Sequence, residues 1–264
     1  MALIKNVMIG SDPELFIINS KTGKVVSSIG IIPGEKGNAY RSPDMPKGYG
    51  LQIDNILAEF NIPPTDNVED FIKSMNYMKN YIRDYVKNIN PDLDIMHASS
   101  AIVDDDQLQS DEAKLFGCSV DYNAYTEKAN PKPEGEKTNL RSSGIHIHIS
   151  YDKPNTNTSI ELIKYLDMYL GIPSVILDSD TERRKLYGKA GCFRLCKYGL
   201  EYRSLGGYFL NNDELIRFMY EGTMKAIDAY NNCSFRIDED LVEEVINEND
   251  VKTARSLIKK YNLI

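Results

Sequence analysis

Residues 144–150, Gly-Ile-His-Ile-His-Ile-Ser, alternate without a break between apolar and chemically active side chains. Successive side chains on a strand point to opposite faces, so His146, His148 and Ser150 share one face and Ile145, Ile147 and Ile149 the other. The isoleucine face must be core. Four further stretches split in the same way: Ser11–Phe16 with Asp12 and Glu14, Ala58–Ile62 with Glu59, Gly191–Leu195 with Arg194, and Leu200–Leu205 with Glu201 and Arg203. Taken singly, each is an ordinary antiparallel strand with one wet face. Taken together they supply carboxylates, imidazoles and guanidinium groups where wet strands commonly carry Thr, Lys and Ser. The expected class is therefore α+β, a curved antiparallel sheet with helices packed on one face and a charged, reactive surface on the other.

Outward from these strands, Lys5–Ile18, the turn Asn19-Ser20-Lys21-Thr22-Gly23 and Lys24–Val26 read as a hairpin. The Gly-, Pro- and Lys-rich stretch Ile32–Gly50 reads as a surface loop. Asp66 or Asn67 can cap a helix whose stripe of Phe71, Met75, Met78, Ile82, Tyr85 and Ile89 is core packing, stopped by Pro91. Thr158-Ser159-Ile160-Glu161 has the spacing of a capping box, launching a helix to Gly171, and another helix starts near Asn212. Asp104–Glu136 is expected to hold little regular structure. Residues 1–232 form the expected catalytic domain and 233–264 a helical C-terminal appendage.

At 264 residues and 42% hydrophobic, the chain can bury a substantial core unaided. A net charge of -8 argues against a nucleic-acid partner, whose binding needs clustered Lys and Arg. No apolar run approaches the roughly 18 residues that span a bilayer, so no membrane role is expected. Cys118, Cys192, Cys196 and Cys233 at irregular spacing read as reduced, buried thiols of a cytoplasmic protein. Many Asn, Ile, Lys and Tyr with no Trp point to an AT-rich genome, as in a phage or a low-GC bacterium. His97 lacks any partner pattern and reads as structural.

Several carboxylates with one or two imidazoles suit hard divalent cations such as Mg²⁺ or Mn²⁺, which also bridge substrate phosphates. Arginines beside them can offset charge on a transferring phosphoryl group. Neither a P-loop nor a dinucleotide fingerprint is present.

In combination these motifs resemble a known family. Ser143–Ser150 is similar to the Gly-Met-His-x-His-x-Ser strand of glutamine synthetases, and Glu201-Tyr202-Arg203 to their Glu-x-Arg strand. Gly10–Glu14, Asp54-Asn55 with Glu59-Phe60-Asn61, and Arg184 through Tyr187-Gly188 to Arg194 resemble the phage-type carboxylate-amine ligases, or amidoligases, over roughly residues 8–230. These are relatives of glutamine synthetase and γ-glutamylcysteine ligase. The resemblance implies a glutamine synthetase-like catalytic domain that joins a small-molecule or peptide carboxylate to an amine, with ATP and Mg²⁺ (or Mn²⁺), through an acyl phosphate.

By the same resemblance, Glu14 and Glu59 would hold one Mg²⁺, and Asp12, His146 and Glu201 another that meets the ATP phosphates. His148 and Ser150 would lie along the nucleotide, and Arg203 and Arg194 would neutralise the phosphoryl group, with Glu59 beside the attacking carboxylate. Asp12 stands where a Glu is usual. Lys36, in Pro33-Gly34-Glu35-Lys36-Gly37, could close over phosphate or be a plain solvated lysine. The basic run Arg183, Arg184 and Lys189 could bind nucleotide or substrate carboxylate, or be a wet face. Two other readings stay open from the residues alone: a metal-dependent hydrolase that activates water, and a binding protein without turnover. Dependence on ATP separates them.

Overall fold

The computed structural model describes residues 3–114, 120–133, 138–234 and 236–264; Cys118 and the end of the 104–136 excursion lie outside them. Its first half runs β1 (Met8–Ser11), β2 (Glu14–Asn19), β3 (Val25–Val26), β4 (Gly50–Asp54), β5 (Leu57–Thr65), α1 (Val68–Ile89), β6 (Leu93–Met96), β7 (Ser100–Ile102), α2 (Asp111–Lys114) and β8 (Tyr122–Asn123). Then follow β9 (Leu140–Ser142), β10 (Gly144–Ser150), α3 (Thr156–Leu166), α4 (Ile172–Leu177), α5 (Arg183–Leu186), β11 (Cys192–Cys196), β12 (Gly199–Gly206), α6 (Asp213–Asn231), α7 (Glu239–Asn247) and α8 (Val251–Tyr261). Among the described residues, every paired strand is antiparallel, and the main sheet has the order β3-β2-β5-β1-β10-β12-β11-β8, so the chain is α+β.

The order explains how distant segments meet. β10 lies between β1 and β12, and His148 stands opposite Gly10 on one side and Glu201 on the other. Beyond Glu201 comes Arg194 on β11. The expected first strand is in fact two. Asp12 and Pro13 interrupt it, since Pro cannot donate to a ladder; β1 then pairs with β10, whereas β2 turns to pair with β5, β6 and β3. That break carries Asp12 across β10 while leaving Glu14 opposite Glu59.

Ile145, Ile147 and Ile149 are fully buried together with Leu200, Tyr202, Phe60 and Ile9, and α1, α3 and α6 cover them. Phe71, Met75, Met78 and Ile82 of α1 are all at zero exposure, whereas Ile89, expected in that stripe, is half exposed. Asn67 is the cap, accepting from Glu69 and Asp70 N–H groups. α3 is capped by Asn155 rather than by the expected capping box: its side chain accepts from Thr158 N–H, and Thr158 and Ser159 are buried inside the helix. Residues beyond 232 fold as α7 and α8, which pack on α4 through a second apolar cluster of Ile172, Val175, Val242, Ile246 and Leu257.

A single wide turn, Asp167–Gly171, joins α3 to α4 with the Ile172 N–H bonded five residues back to Asp167. The turn aims the Asp167 carboxyl into the interior, where Tyr202 Oη, Tyr125 Oη and the Gly191 N–H donate to it at 2.7, 2.9 and 2.6 Å. Gly171 leaves room for close packing at this turn: a Cβ there would lie 2.6 Å from Ile246 Cδ1 and 3.1 Å from Asp167 Oδ1, so Ile246 would have to move. Burial pushes the Asp167 carboxyl up from 3.8 to about 7, against the pull of its three donors. The folded state thus keeps a proton that the unfolded chain releases, so this contribution is fully present below about pH 4 and lost as pH rises to 7. Urea melts of Asp167→Asn, which cannot ionise, are expected to show a flatter fall of stability than wild type between about pH 4 and 7, by up to several kcal/mol in all. Parallel pH profiles would contradict this role for Asp167.

Candidate active site

Asp12 is the hub on the charged face. Its Oδ1 lies 3.0 Å from His146 Nδ1 and 3.0 Å from His148 Nε2. Glu201 Oε1 is 3.5 Å from the same His146 nitrogen, and one ligand atom each from Asp12, His146 and Glu201 lies within 4.8 Å of the others. The β10–β12 register shifts between Ile145 and Ile147, so His146 comes within reach of Glu201 although His148 is the residue directly opposite it, and the Asp12 N–H donates to the His146 carbonyl at 3.3 Å. Burial opposes ionisation of Asp12, yet the two imidazoles hold it well below the usual carboxylate range. Burial would lower His148, but Asp12 outweighs it and raises it. Burial likewise works against Glu201, and His146 and Arg203 overcome it to keep Glu201 ionised.

Two arginines close on Glu201. Arg203 Nη1 donates to Oε1, and Arg194 Nη1 donates to Oε2 at 3.0 Å. The Arg203 Nε also faces Asp121 Oδ2 at 3.6 Å. Arg203 is buried, whereas Arg194 is half-buried at the mouth.

A second carboxylate pair lies beside the first cluster. Glu14 and Glu59 face each other across β2 and β5, both buried. Glu14 Oε2 accepts the Gly144 N–H at 2.7 Å, and Glu59 Oε2 accepts Gln52 Nε2 at 2.9 Å. Burial first and the Asp54 carboxylate second push Glu14 up, and burial with Asp12, Glu14 and Asp54 pushes Glu59 well up. Crowded, dehydrated carboxylates of this kind bind either protons or a cation. Gly144 allows the two clusters to approach: a Cβ there would sit 3.0 Å from both His146 Nε2 and Arg183 Nη2. The donor set, mostly oxygen with one or two imidazoles, fits a hard divalent cation.

The other expected residues are placed differently. Ser150 is at the far end of β10, its hydroxyl 3.4 Å from Met8 O, outside the cluster. Lys36 is exposed and reaches Asp54 at 3.4 Å from the rim. Arg184 is not brought to the site; its guanidinium donates to Ser174 Oγ at 2.7 Å and to Asn249 Oδ1, tying α5 to α4 and the C-terminal helices. Lys189 lines a neighbouring groove rather than the metal-type cluster. Cys192 is buried and its thiol pushed up to about 12 by that burial, while Cys196 is half-buried and Cys233 exposed. His97 has burial to thank for a value of about 3, in keeping with a structural histidine.

The structure also recruits residues that strand alternation could not single out. A pocket between Glu14, His146 and Arg203 is walled by Asp54, Asp121, Arg141, Arg183 and Tyr187. Arg183, read as part of a basic run, is buried there and donates to Ser142 Oγ. Arg141 braces the wall through the carbonyls of Thr138, Leu140 and Ala113. Asp54, Arg183 and Tyr187 are marked in the sequence by the resemblance and the basic run rather than by alternation, whereas Asp121 and Arg141 come from short segments, of which only the Leu140-Arg141-Ser142 alternation just upstream of β10 gives a local signal.

The antiparallel sheet thus presents an acidic, histidine-bearing cluster that could hold a metal ion, with Arg183 and Arg203 buried and Arg194 half-buried beside it. Residues 136–235 match the family model described as Phage phiEco32-like COOH.NH2 ligase-type 2. The match bears out the amidoligase resemblance and supports an enzyme that joins a carboxylate to an amine. It carries His146, His148, Arg183, Arg194, Glu201 and Arg203, while Asp12, at the break between β1 and β2, and Glu14 and Glu59, on β2 and β5, lie before it. A search of curated proteins found no match.

Titration of the chain with Mn²⁺, read by loss of the free-ion EPR signal, tests the cluster. Glu201→Gln is expected to weaken binding by at least about tenfold, since it removes a charged ligand, and Arg184→Gln by less than about twofold. Equal affinities in Glu201→Gln and wild type would place the cation elsewhere.

Proposed function

We propose that the chain is an ATP-dependent carboxylate-amine ligase with a glutamine synthetase-like catalytic domain, working through an acyl phosphate. The observation that carries this reading is the junction at Glu201, which belongs at once to the Asp12–His146–Glu201 cluster and to the arginine pair Arg203 and Arg194. A site that must bring a polyphosphate to a carboxylate needs cation ligands and phosphoryl-facing arginines in contact, because such transfer is catalysed by positioning and charge stabilisation.

In this reading Asp12, His146 and Glu201 would hold one Mg²⁺ and Glu14 with Glu59 could hold a second, and such ions would supply positive charge to the phosphates. The substrate carboxylate attacks the γ-phosphorus, ADP leaves, and the amine then displaces phosphate from the acyl carbon to leave an amide. Arg203 offers a planar fork to the phosphoryl oxygens, with Arg194 at the mouth as its partner. His148, held by Asp12 and by Tyr198 Oη at 2.9 Å, lies along the nucleotide path in this reading, whereas Lys36, which reaches Asp54 on the pocket wall, stands on the acid side. Arg183 and Tyr187 line the acid pocket.

The test is ADP release with acid and amine pools supplied singly and together. ADP is expected only when both are present, and Arg203→Ala is expected to lose on the order of 10³ in turnover while still folded at the assay temperature, Arg203→Lys recovering little. Hydrolysis of an amide without ATP would instead identify a metal-dependent hydrolase.

A further inference from the structure

A groove runs outward from the central pocket between the segment at Asn130–Pro133 and the segment at Lys185–Lys189. Asp121 and Tyr187 line both the groove and the pocket, so the two are continuous. Asp121 is the post at the junction: Asn130 Nδ2 donates to its Oδ1 at 3.1 Å, the Asn130 N–H donates to its carbonyl at 2.9 Å, and Arg203 Nε faces its Oδ2. The groove wall is thereby pinned to the residue that offsets phosphoryl charge.

The groove is cationic in a chain that is not. Lys132, Lys185 and Lys189 line it, although the protein as a whole carries a net charge of -8. Lys185 is engaged by Glu182, but Lys132 and Lys189 form no ion pair among the described residues. Acidic side chains outnumber basic ones along this sequence, and yet no acidic side chain among the described residues pairs with either of the two. A strip of this kind serves to attract an incoming anion.

The direction of the groove selects which substrate. On β12, Glu201 lies toward the Tyr198 turn, where His148 and Tyr198 stand, and Arg203 lies toward the other end. The groove enters at that other end, beside Cys192, where β11 pairs with β8. It therefore reaches the acid side of the cluster and not the nucleotide side.

We propose that this groove holds the distal part of an extended acid substrate, a chain that bears further carboxylates beyond the one that reacts, as in an acidic peptide. The assignment rests on the ligase reading of the adjoining pocket. Lys132 and Lys189 meet the distal carboxylates, Asp121 and Tyr187 mark the threshold, and the terminal carboxylate enters the pocket between Arg183 and Arg203.

Fluorescein-labelled tri-glutamate, followed by fluorescence anisotropy on the full chain with Mg²⁺, tests the groove without relying on turnover. Wild type is expected to bind the peptide and not labelled tri-lysine. The double variant Lys132→Glu with Lys189→Glu should weaken binding by about tenfold or more, since each reversal replaces an attraction by a repulsion. Lys252→Glu with Lys259→Glu, an equal change of charge on α8, should weaken it by less than about twofold. Absence of binding to wild type, or equal losses in the two double variants, would overturn the proposal. Hydroxamate formation from ATP, hydroxylamine and either glutamate or tri-glutamate reads the ligase chemistry separately. Peptide that binds in a groove-dependent way but is never activated leaves the groove standing and refutes the ligase reading. Glutamate and tri-glutamate activated with equal kcat/KM in wild type and in the groove variant refutes the groove alone.

Discussion

Everything at the centre of this molecule depends on one constraint: Asp12, His146, Glu201 and Arg203 are held against one another on a sheet face with little access to water. Charges removed from water lose hydration that mutual attraction restores only when the geometry is good, and apolar replacements of equal shape are often at least as stable. Such a cluster is poorly explained as a device for stability. On the function proposed above, a ligand that supplies positive charge to the carboxylates and negative charge to the arginines would complete both sets at once.

The rest of the fold follows from keeping that cluster rigid. Helices α1, α3 and α6 bury the isoleucine face of β10 and the Leu200 and Tyr202 face of β12. The opposite faces of the same residues' neighbours are then fixed to within the tolerance of core packing. Tyr202 shows the coupling in a single side chain: it lies between Glu201 and Arg203, is fully buried, and donates to Asp167 on the turn that joins α3 to α4. Gly144 plays the complementary part on the reactive side, where its lack of a side chain leaves room for the imidazole, the guanidinium and the Glu14 carboxylate to converge.

Much of this was legible in the chain itself, for a physical reason. Period-two alternation is a local signal, and His146, Glu201, Arg203, Arg194, Glu14 and Glu59 all sit on strands that alternate cleanly. Helix α1 was equally plain from its stripe and its Asn67 cap. What alternation cannot convey is which strands become neighbours and what irregular segments bring. Asp121 precedes the two-residue strand β8, Arg183 belongs to a four-residue helix, and Tyr187 ends it, so no periodicity marks them. Arg184 has the same local chemistry as Arg183 but points the other way, toward Ser174 and Asn249, because adjacent helical residues face about a hundred degrees apart. The Thr158–Glu161 spacing misleads for a related reason: Asn155 meets the first free N–H groups three residues earlier, and the apparent box is already inside the helix.

An acyl-phosphate route turns on the fate of one oxygen atom. With the acid substrate labelled by ¹⁸O in its carboxylate, a reaction through an acyl phosphate must leave one labelled oxygen in the inorganic phosphate for each amide formed. That transfer is the result expected here. Unlabelled phosphate accompanying amide product would contradict the acyl phosphate and, with it, the role assigned to the arginine and carboxylate cluster.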